Sequence, residues 1–222
     1  MIIYGLMKYI EKVPVRYDKV MNMLTFGNHA KAHEILLEQV QDGFTILDIG
    51  CGTGKFAIAA ASKGAHVTCV DASPEMLRIF RNNLSEKPEL EGKIDIHECG
   101  AASIERILGE KRFDLVTASL MLGELPPPVR KKTIEAAANL LKEEGHFLVC
   151  DEFWPESTLG SLAYHFLFWI FFIPNFILTR TLIQPVQGFK EDSVAAKLEE
   201  KKRLELLGGA ISILWMSRKQ ED

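Results

Sequence analysis

Short, dense apolar runs and longer stretches of helical spacing alternate along most of this chain. Phe44 to Ile49, His66 to Asp71, Lys93 to Cys99, Phe113 to Leu120 and Gly145 to Glu152 are the short runs. Runs of this kind read as strands, and the most apolar of them as strands buried on both faces of a parallel sheet. The segments between them, Phe56 to Ser62, Pro74 to about Leu84, Ser103 to Leu108 and Val129 to Lys142, read as helices. Ser73-Pro74-Glu75 marks one helix start, with Ser73 as the cap and Pro74 in the first turn, where its missing N–H costs nothing. Repeated strand–helix units predict a doubly wound, mostly parallel α/β sheet with helices on both faces. The C-terminus departs from that order. Lys201 to Leu207 and Ala210 to Ser217 flank Gly208-Gly209, a two-residue turn signal that predicts an antiparallel hairpin.

A second pattern interrupts the first. From Phe153 to Phe189 the only charges are Glu156 and Arg180, and Leu159 to Leu178 holds Phe166, Phe168, Trp169, Phe171, Phe172 and Phe176. One membrane crossing is excluded by topology, because the hairpin must rejoin the sheet that contains the preceding strand. Two crossings need about 40 apolar residues, more than the segment holds, and Pro174 interrupts the run. Two readings remain: an apolar lid over a pocket, buried in a monomer or homodimer, or a helix lying in the plane of a membrane surface with Tyr164 and Trp169 at the interface. A helix that does both is the favoured reading.

Length and charge narrow the class. At 222 residues and 47% hydrophobic content the chain reads as a single domain, 1–222, with an N-terminal helical cap over 1–42 and an apolar insertion over 153–189. A net charge of −4 gives no basic footprint for nucleic acid. Cys51, Cys69, Cys99 and Cys150 form no Cys-x-x-Cys pair and sit in or beside strands, so they read as reduced, buried thiols. With no secretory leader in Met1 to Leu6, a cytoplasmic location is expected, peripheral on the inner membrane face if the apolar segment lies in the interface.

The chemistry concentrates in Ile46-Leu-Asp-Ile-Gly-Cys-Gly-Thr-Gly54. Its glycines stand at 50, 52 and 54, whereas a dinucleotide turn needs the third one place later, at Lys55. Gly50, Gly52 and Gly54 fall in a strand-to-helix turn, where the absence of Cβ lets a nucleotide-like group lie against the main chain. Asp71 closes the next strand, positioned to accept from ribose hydroxyls. Asp48 adds a second negative charge, which repels a pyrophosphate and suits a sulfonium. The two acids favour S-adenosylmethionine over NAD.

Leu47-Asp-Ile-Gly-Cys-Gly-Thr-Gly54, followed by Asp71, resembles the first motif of the class I S-adenosylmethionine-dependent methyltransferases. The resemblance implies a seven-stranded Rossmann-like sheet closed by the antiparallel hairpin. Arg16-Tyr17-Asp18 with Met21 to Gly27, and Asp151-Glu-Phe-Trp-Pro155, are similar to UbiE-like enzymes, the quinone-ring C-methyltransferases. Methyltransferases that accompany corrinoid proteins share a similar opening. From this group the resemblance implies cofactor contacts at Tyr17, Thr53, Asp71 with Ala72, the pair Gly100-Ala101, and Ser119. Position 100 departs from the pattern, since an Asp or Asn there would accept from the adenine amino group. Backbone groups, Ser103 or apolar stacking must then hold the ring.

Candidates for catalysis are fewer. Methyl transfer is an in-line displacement, much of whose rate can come from alignment in a dry pocket. Glu124, after the fourth strand, is either a base or a helix-entry residue, and His165, in the apolar segment, is either a base or an interfacial residue. His29 and His33 lie four apart on one helix face, but no third ligand is spaced to join them, so the pair reads as a solvated face and no metal site is expected.

Overall fold

The structure is a computed structural model in which residues 28–153, 185–206, 209 and 211–219 are described. Its strands are β1 (Thr45–Ile49), β2 (His66–Asp71), β3 (Ile94–Glu98), β4 (Phe113–Ser119), β5 (Leu141–Glu152), β6 (Leu198–Leu206) and β7 (Ile211–Arg218). Its helices are α1 (Asn28–Glu38), α2 (Lys55–Ser62), α3 (Pro74–Ser85), α4 (Ile104–Leu108), α5 (Pro127–Leu140) and α6 (Phe189–Ala195). One seven-stranded sheet runs in the order β3-β2-β1-β4-β5-β7-β6. β1 to β5 are parallel, and β7 is antiparallel to both β5 and β6. The predicted α/β sheet with its closing hairpin is therefore present.

Strand periodicity divides the core in two. Ile46, Val67, Cys69, Leu115, Leu148 and Ile213 face α1, α2 and α3, packing on Leu36, Phe56, Ala57, Leu77 and Phe80. Leu47, Ile49, Val70, Val116, Phe147 and Leu214 face the other way, onto Ile104, Ile134, Ala137 and Phe189. Because successive side chains of a strand point to opposite faces, the continuous apolar runs are what a sheet covered on both sides requires. Ser73 caps α3 as predicted, its Oγ accepting from the Met76 amide at 3.3 Å with Pro74 at the first position.

Three boundaries differ from the sequence reading. α5 ends at Leu140 and β5 starts at Leu141, four residues before the expected Gly145, with no loop between them. No glycine cap is needed there, because Arg218 on β7 donates to the carbonyls of Ala138, Asn139 and Leu141 at 2.7–3.0 Å and so satisfies the helix end from outside. β6 starts at Leu198 rather than Lys201; its charged stretch Glu199 to Arg203 conceals a strand at the sheet edge, where charge discourages pairing with another chain. The end of the expected insertion belongs to α6, whose Phe189 is buried.

Residues 1–27, covering most of the expected N-terminal cap with Tyr17, and 154–184, covering the apolar segment with His165, lie outside the described residues. So do residues 207, 208 and 210 of the hairpin turn. The two flanks of the insertion meet. Val186 donates its amide to the Glu152 carbonyl at 2.8 Å, and the rings of Phe153 and Phe189 lie edge to face at 5.4 Å. The chain thus leaves the carboxyl end of β5 and returns to the same place. Among the described residues, no helix is long and apolar enough to cross a membrane.

Candidate functional site

After β1 the chain crosses to β2 on one side, and after β3 it crosses back to β4 on the other. A crevice opens at such a reversal, beyond the carboxyl ends of the central strands. Here it is a cavity of about 690 Å³, lined by the ends of β1, β2 and β4 and the loops that follow them.

The glycine loop is shaped by its surroundings. Gly50 has φ +70°, and a Cβ there would lie 2.9 Å from Met121 Cγ; Gly54 has φ +77°, and a Cβ there would lie 2.0 Å from the Phe80 ring. Both positions need glycine twice over, for the left-handed backbone and for the close approach. Gly54 does not face the cavity; it lets α2 and α3 pack. Asn83 of α3 donates from Nδ2 to the Thr53 carbonyl at 3.0 Å, a tether that sequence gave no sign of.

Asp71 holds the loop to β2. One carboxylate oxygen accepts from the Gly52 amide and the other from the Ser73 amide, both at 2.8 Å. Each oxygen retains a lone pair that can face the cavity. Burial pushes this carboxyl above its ordinary range, and the amides of Ser73, Gly52 and Ala72 pull it back. Asp48 is deeper, 4% exposed, and accepts from Thr117 Oγ at 2.8 Å. Burial pushes its pKa up to about 7; the Thr117 bond opposes the rise and the charge of Asp71 adds to it. Asp48 therefore stands between its neutral and charged forms near neutral pH, and a cation beside it would favour the charged one.

Of the sequence candidates, Asp48, Gly50, Gly52, Thr53, Asp71, Ala72, Ala101, Ser119 and Glu124 line this one cavity. Gly54 and Gly100 do not. Gly100 is extended (φ −71°, ψ 146°), and its neighbours Cys99 and Ala101 form the wall instead. Ser103 is also absent from the wall, so Met76, Cys99 and Ala101 supply an apolar lining beside Asp71. The Ser119 hydroxyl is buried with no hydrogen-bond partner of ordinary geometry, only the soft Cys150 thiol lying against it. A hydroxyl held only by a thiol in a cavity wall is able to hydrogen-bond a polar ligand. Glu124 ends a 3₁₀ turn, Leu122–Glu124, and stands exposed at the rim.

Sequence reasoning missed His33. Read as part of a solvated face, it is half-buried, lies edge-on to Phe56 with ring centroids 6.3 Å apart, and lines the cavity. Ala32 and Leu36, four apart, put their side of α1 against the core, and His33, three residues before Leu36, is carried in beside it. All four cysteines are free. Cys51, Cys69 and Cys150 are buried as expected, while Cys99 is half-buried in the cavity wall.

The family described as "Methyltransferase domain" matches residues 46–145. A ubiquinone biosynthesis O-methyltransferase of Xylella fastidiosa is 34% identical over 110 residues, which cover 48% of this chain and 41% of that protein. The match thus spans about two fifths of that relative's length. An uncharacterized methyltransferase of Synechocystis is 29% identical over 138 residues, 61% of each chain. Among solved structures, magnesium protoporphyrin IX methyltransferase from Synechocystis, with S-adenosylhomocysteine bound, superposes with a TM-score of 0.69 at 17% identity, covering 98% of this chain and 97% of that one, and so shares its fold. Residues 46–145 thus match the methyltransferase domain family, and the strand order of the chain agrees with the fold of that solved methyltransferase.

Proposed function

We propose that this protein transfers a methyl group from S-adenosylmethionine to an apolar, hydroxylated ring of the quinone-precursor class. The observation that carries the reading is the continuity of one cavity. The cradle of Asp48, Gly50, Gly52 and Asp71 and the apolar residues Phe56, Met121, Leu125 and Pro126 line the same space. At about 690 Å³ it falls within the range of small-molecule sites, mostly apolar with a few placed polar groups. The relatives named for ubiquinone biosynthesis support the choice of acceptor class.

The residues present fit the cofactor. Asp71 offers acceptor lone pairs where a ribose would lie, the loop backbone at Gly52 has open space beside it, and Ser119 Oγ has only the Cys150 thiol against it. S-adenosylmethionine, when bound, supplies a methyl group activated by a positively charged sulfur. Asp48 balances positive charge at that end of the cavity. Met121 and Leu125 exclude water near the acceptor, which strengthens alignment and electrostatic effects alike. Glu124 and His33 line the same cavity and are able to take a proton from an acceptor hydroxyl. Tyr17 and His165 keep the roles that the family resemblance and the apolar sequence suggest: a cover over the cofactor for Tyr17, and a base or interfacial residue for His165.

Peripheral attachment through 159–178 is part of the same proposal. Its support is the aromatic composition of that segment and the return of its flanks to the carboxyl end of β5, the edge of the sheet on which the cavity opens. Burial of several aromatic side chains at ~25 cal/mol per Å² suffices for reversible attachment.

Two measurements test this reading. Incubation with labelled S-adenosylmethionine and a farnesylated catechol should give labelled, chloroform-soluble product, while calorimetry shows binding of S-adenosylmethionine and none of NAD; no transfer to the catechol or to any component of a lipid extract would remove the acceptor assignment. Liposomes should pellet the protein and shift Trp169 emission to the blue, and Phe168, Trp169 and Phe172 replaced together by Ser should abolish that shift with cofactor binding intact. A wild-type protein indifferent to liposomes would leave 159–178 as an internal lid or a homodimer contact.

A further inference from the structure

Asp151 lies at the carboxyl end of β5, 4% exposed, and none of the proposed chemistry uses it. Its charge is met by backbone amides. Oδ2 accepts from Leu122 at 2.8 Å and from Gly123 at 3.3 Å, and Oδ1 accepts from Glu152 at 2.9 Å. Burial pushes the carboxyl up to about 6, against the pull of these amides and that of Met121. A buried carboxylate next to another acid, Glu152, is a costly way to end a strand unless the groups it gathers have to be held.

What it gathers is the loop between β4 and α5. That loop begins with Leu120 at φ +51°, a left-handed backbone on a residue with a branched side chain. Conformations of this kind persist only where the surroundings over-determine them. Here the Leu120 amide is tied to the Cys150 carbonyl at 2.7 Å, and the next residues are tied to Asp151. Between the two ties stands Met121. Its Cγ would lie 2.9 Å from a Cβ on Gly50, so the side chain sits directly over the first glycine of the cradle, and it lines the cavity.

We propose that Asp151 is a positioning residue for the cofactor, fixing the loop after β4 through the Leu122 and Gly123 amides so that Met121 closes over Gly50. The proposal rests on the reading that the cradle takes S-adenosylmethionine. Asp151 is not itself part of the cavity wall and acts through Met121.

A double-mutant cycle on the full chain, titrated calorimetrically with S-adenosylmethionine, tests it. Asp151→Ala and Met121→Ala should each weaken binding by about 10-fold, and the pair together by no more than about 2-fold beyond the worse single variant, because both remove one arrangement. Asp151→Asn keeps an oxygen for Leu122 and Gly123 and should bind within about 3-fold of wild type, with those two amides exchanging slowly, whereas Asp151→Ala should speed their exchange. A full additive loss in the double variant, or wild-type affinity in Asp151→Ala, would overturn the proposal. Should Asp151→Ala not fold, Asp151→Glu, which displaces the carboxylate by one methylene, takes its place in the cycle with the same coupling expected and the same additive result counting against it. Failure of the wild type itself to bind S-adenosylmethionine would instead refute the proposed function.

Discussion

Asp71 combines two tasks that one residue rarely separates. Its carboxylate pins Gly52 and Ser73, and its remaining lone pairs face the cavity. Asp71→Ala should therefore weaken S-adenosylmethionine binding by about 10-fold or more, since a charge-assisted hydrogen bond is worth ~1.5–3 kcal/mol. Unchanged affinity by calorimetry would remove Asp71 from the site. Gly100 invites the opposite experiment. A Cβ there meets nothing within 4 Å, and the backbone is extended, so Gly100→Asp fits without strain. Binding should stay level or tighten by up to about 10-fold as the missing adenine acceptor is restored; a large loss would mean that the ring approaches the Gly100 backbone itself. The glycine loop, Asp48 and Asp71 were legible in the sequence because their chemistry depends on residue type at fixed spacing. His33 was not, since the side of α1 that turns inward is decided by packing against Phe56, a residue of another helix. Asn83 and Asp151 were not either, because each acts on backbone groups about 30 positions away.

At the scale of elements, α6 is the least expected part of the fold and the one with the clearest attachment. Arg130 of α5 donates from Nε to Asp192 of α6 at 2.9 Å, and their side chains are 8% and 15% exposed. Losing one partner of a buried pair strands the other charge, which costs about 3 kcal/mol or more. Arg130→Met should then lower the melting temperature by roughly 6–12 °C, at about 2–4 °C per kcal/mol for a chain of this size. Arg130→Met combined with Asp192→Leu should recover most of the loss, and a single variant as stable as wild type would show that α6 is held by Phe189 alone. Strand existence was legible because buried parallel strands are continuous apolar runs. The start of β5 and that of β6 were hidden, the first by a cap delivered from β7 and the second by the charges of an edge strand.

For the whole molecule, burying acids at the carboxyl edge of the sheet sets how stability responds to pH. Burial raises Asp48 from 3.8 to about 7, Asp151 from 3.8 to about 6 and Glu152 from 4.5 to about 7, the charge of Asp151 adding to the last. A raised folded pKa means that the native chain holds protons which the unfolded chain has already released, so the slope of stability against pH is negative. These three groups give their full stabilisation below about pH 4 and lose it progressively as pH rises through about 6 and 7; about one unit above that they are charged in both states and add no further slope. The ligand-free protein should accordingly melt at least about 4 °C higher at pH 5 than at pH 8, a difference of one to two kcal/mol at this chain length. Asp48→Asn separates the cradle's share from the rest. An amide can still accept from Thr117 Oγ but carries no charge, so the variant should be the more stable protein at pH 8, close to wild type at pH 5, and visibly flatter between them. A wild-type melting temperature that rises from pH 5 to pH 8, or an Asp48→Asn profile parallel to that of the wild type, would show that Asp48 is ionised in the ligand-free cradle throughout this range.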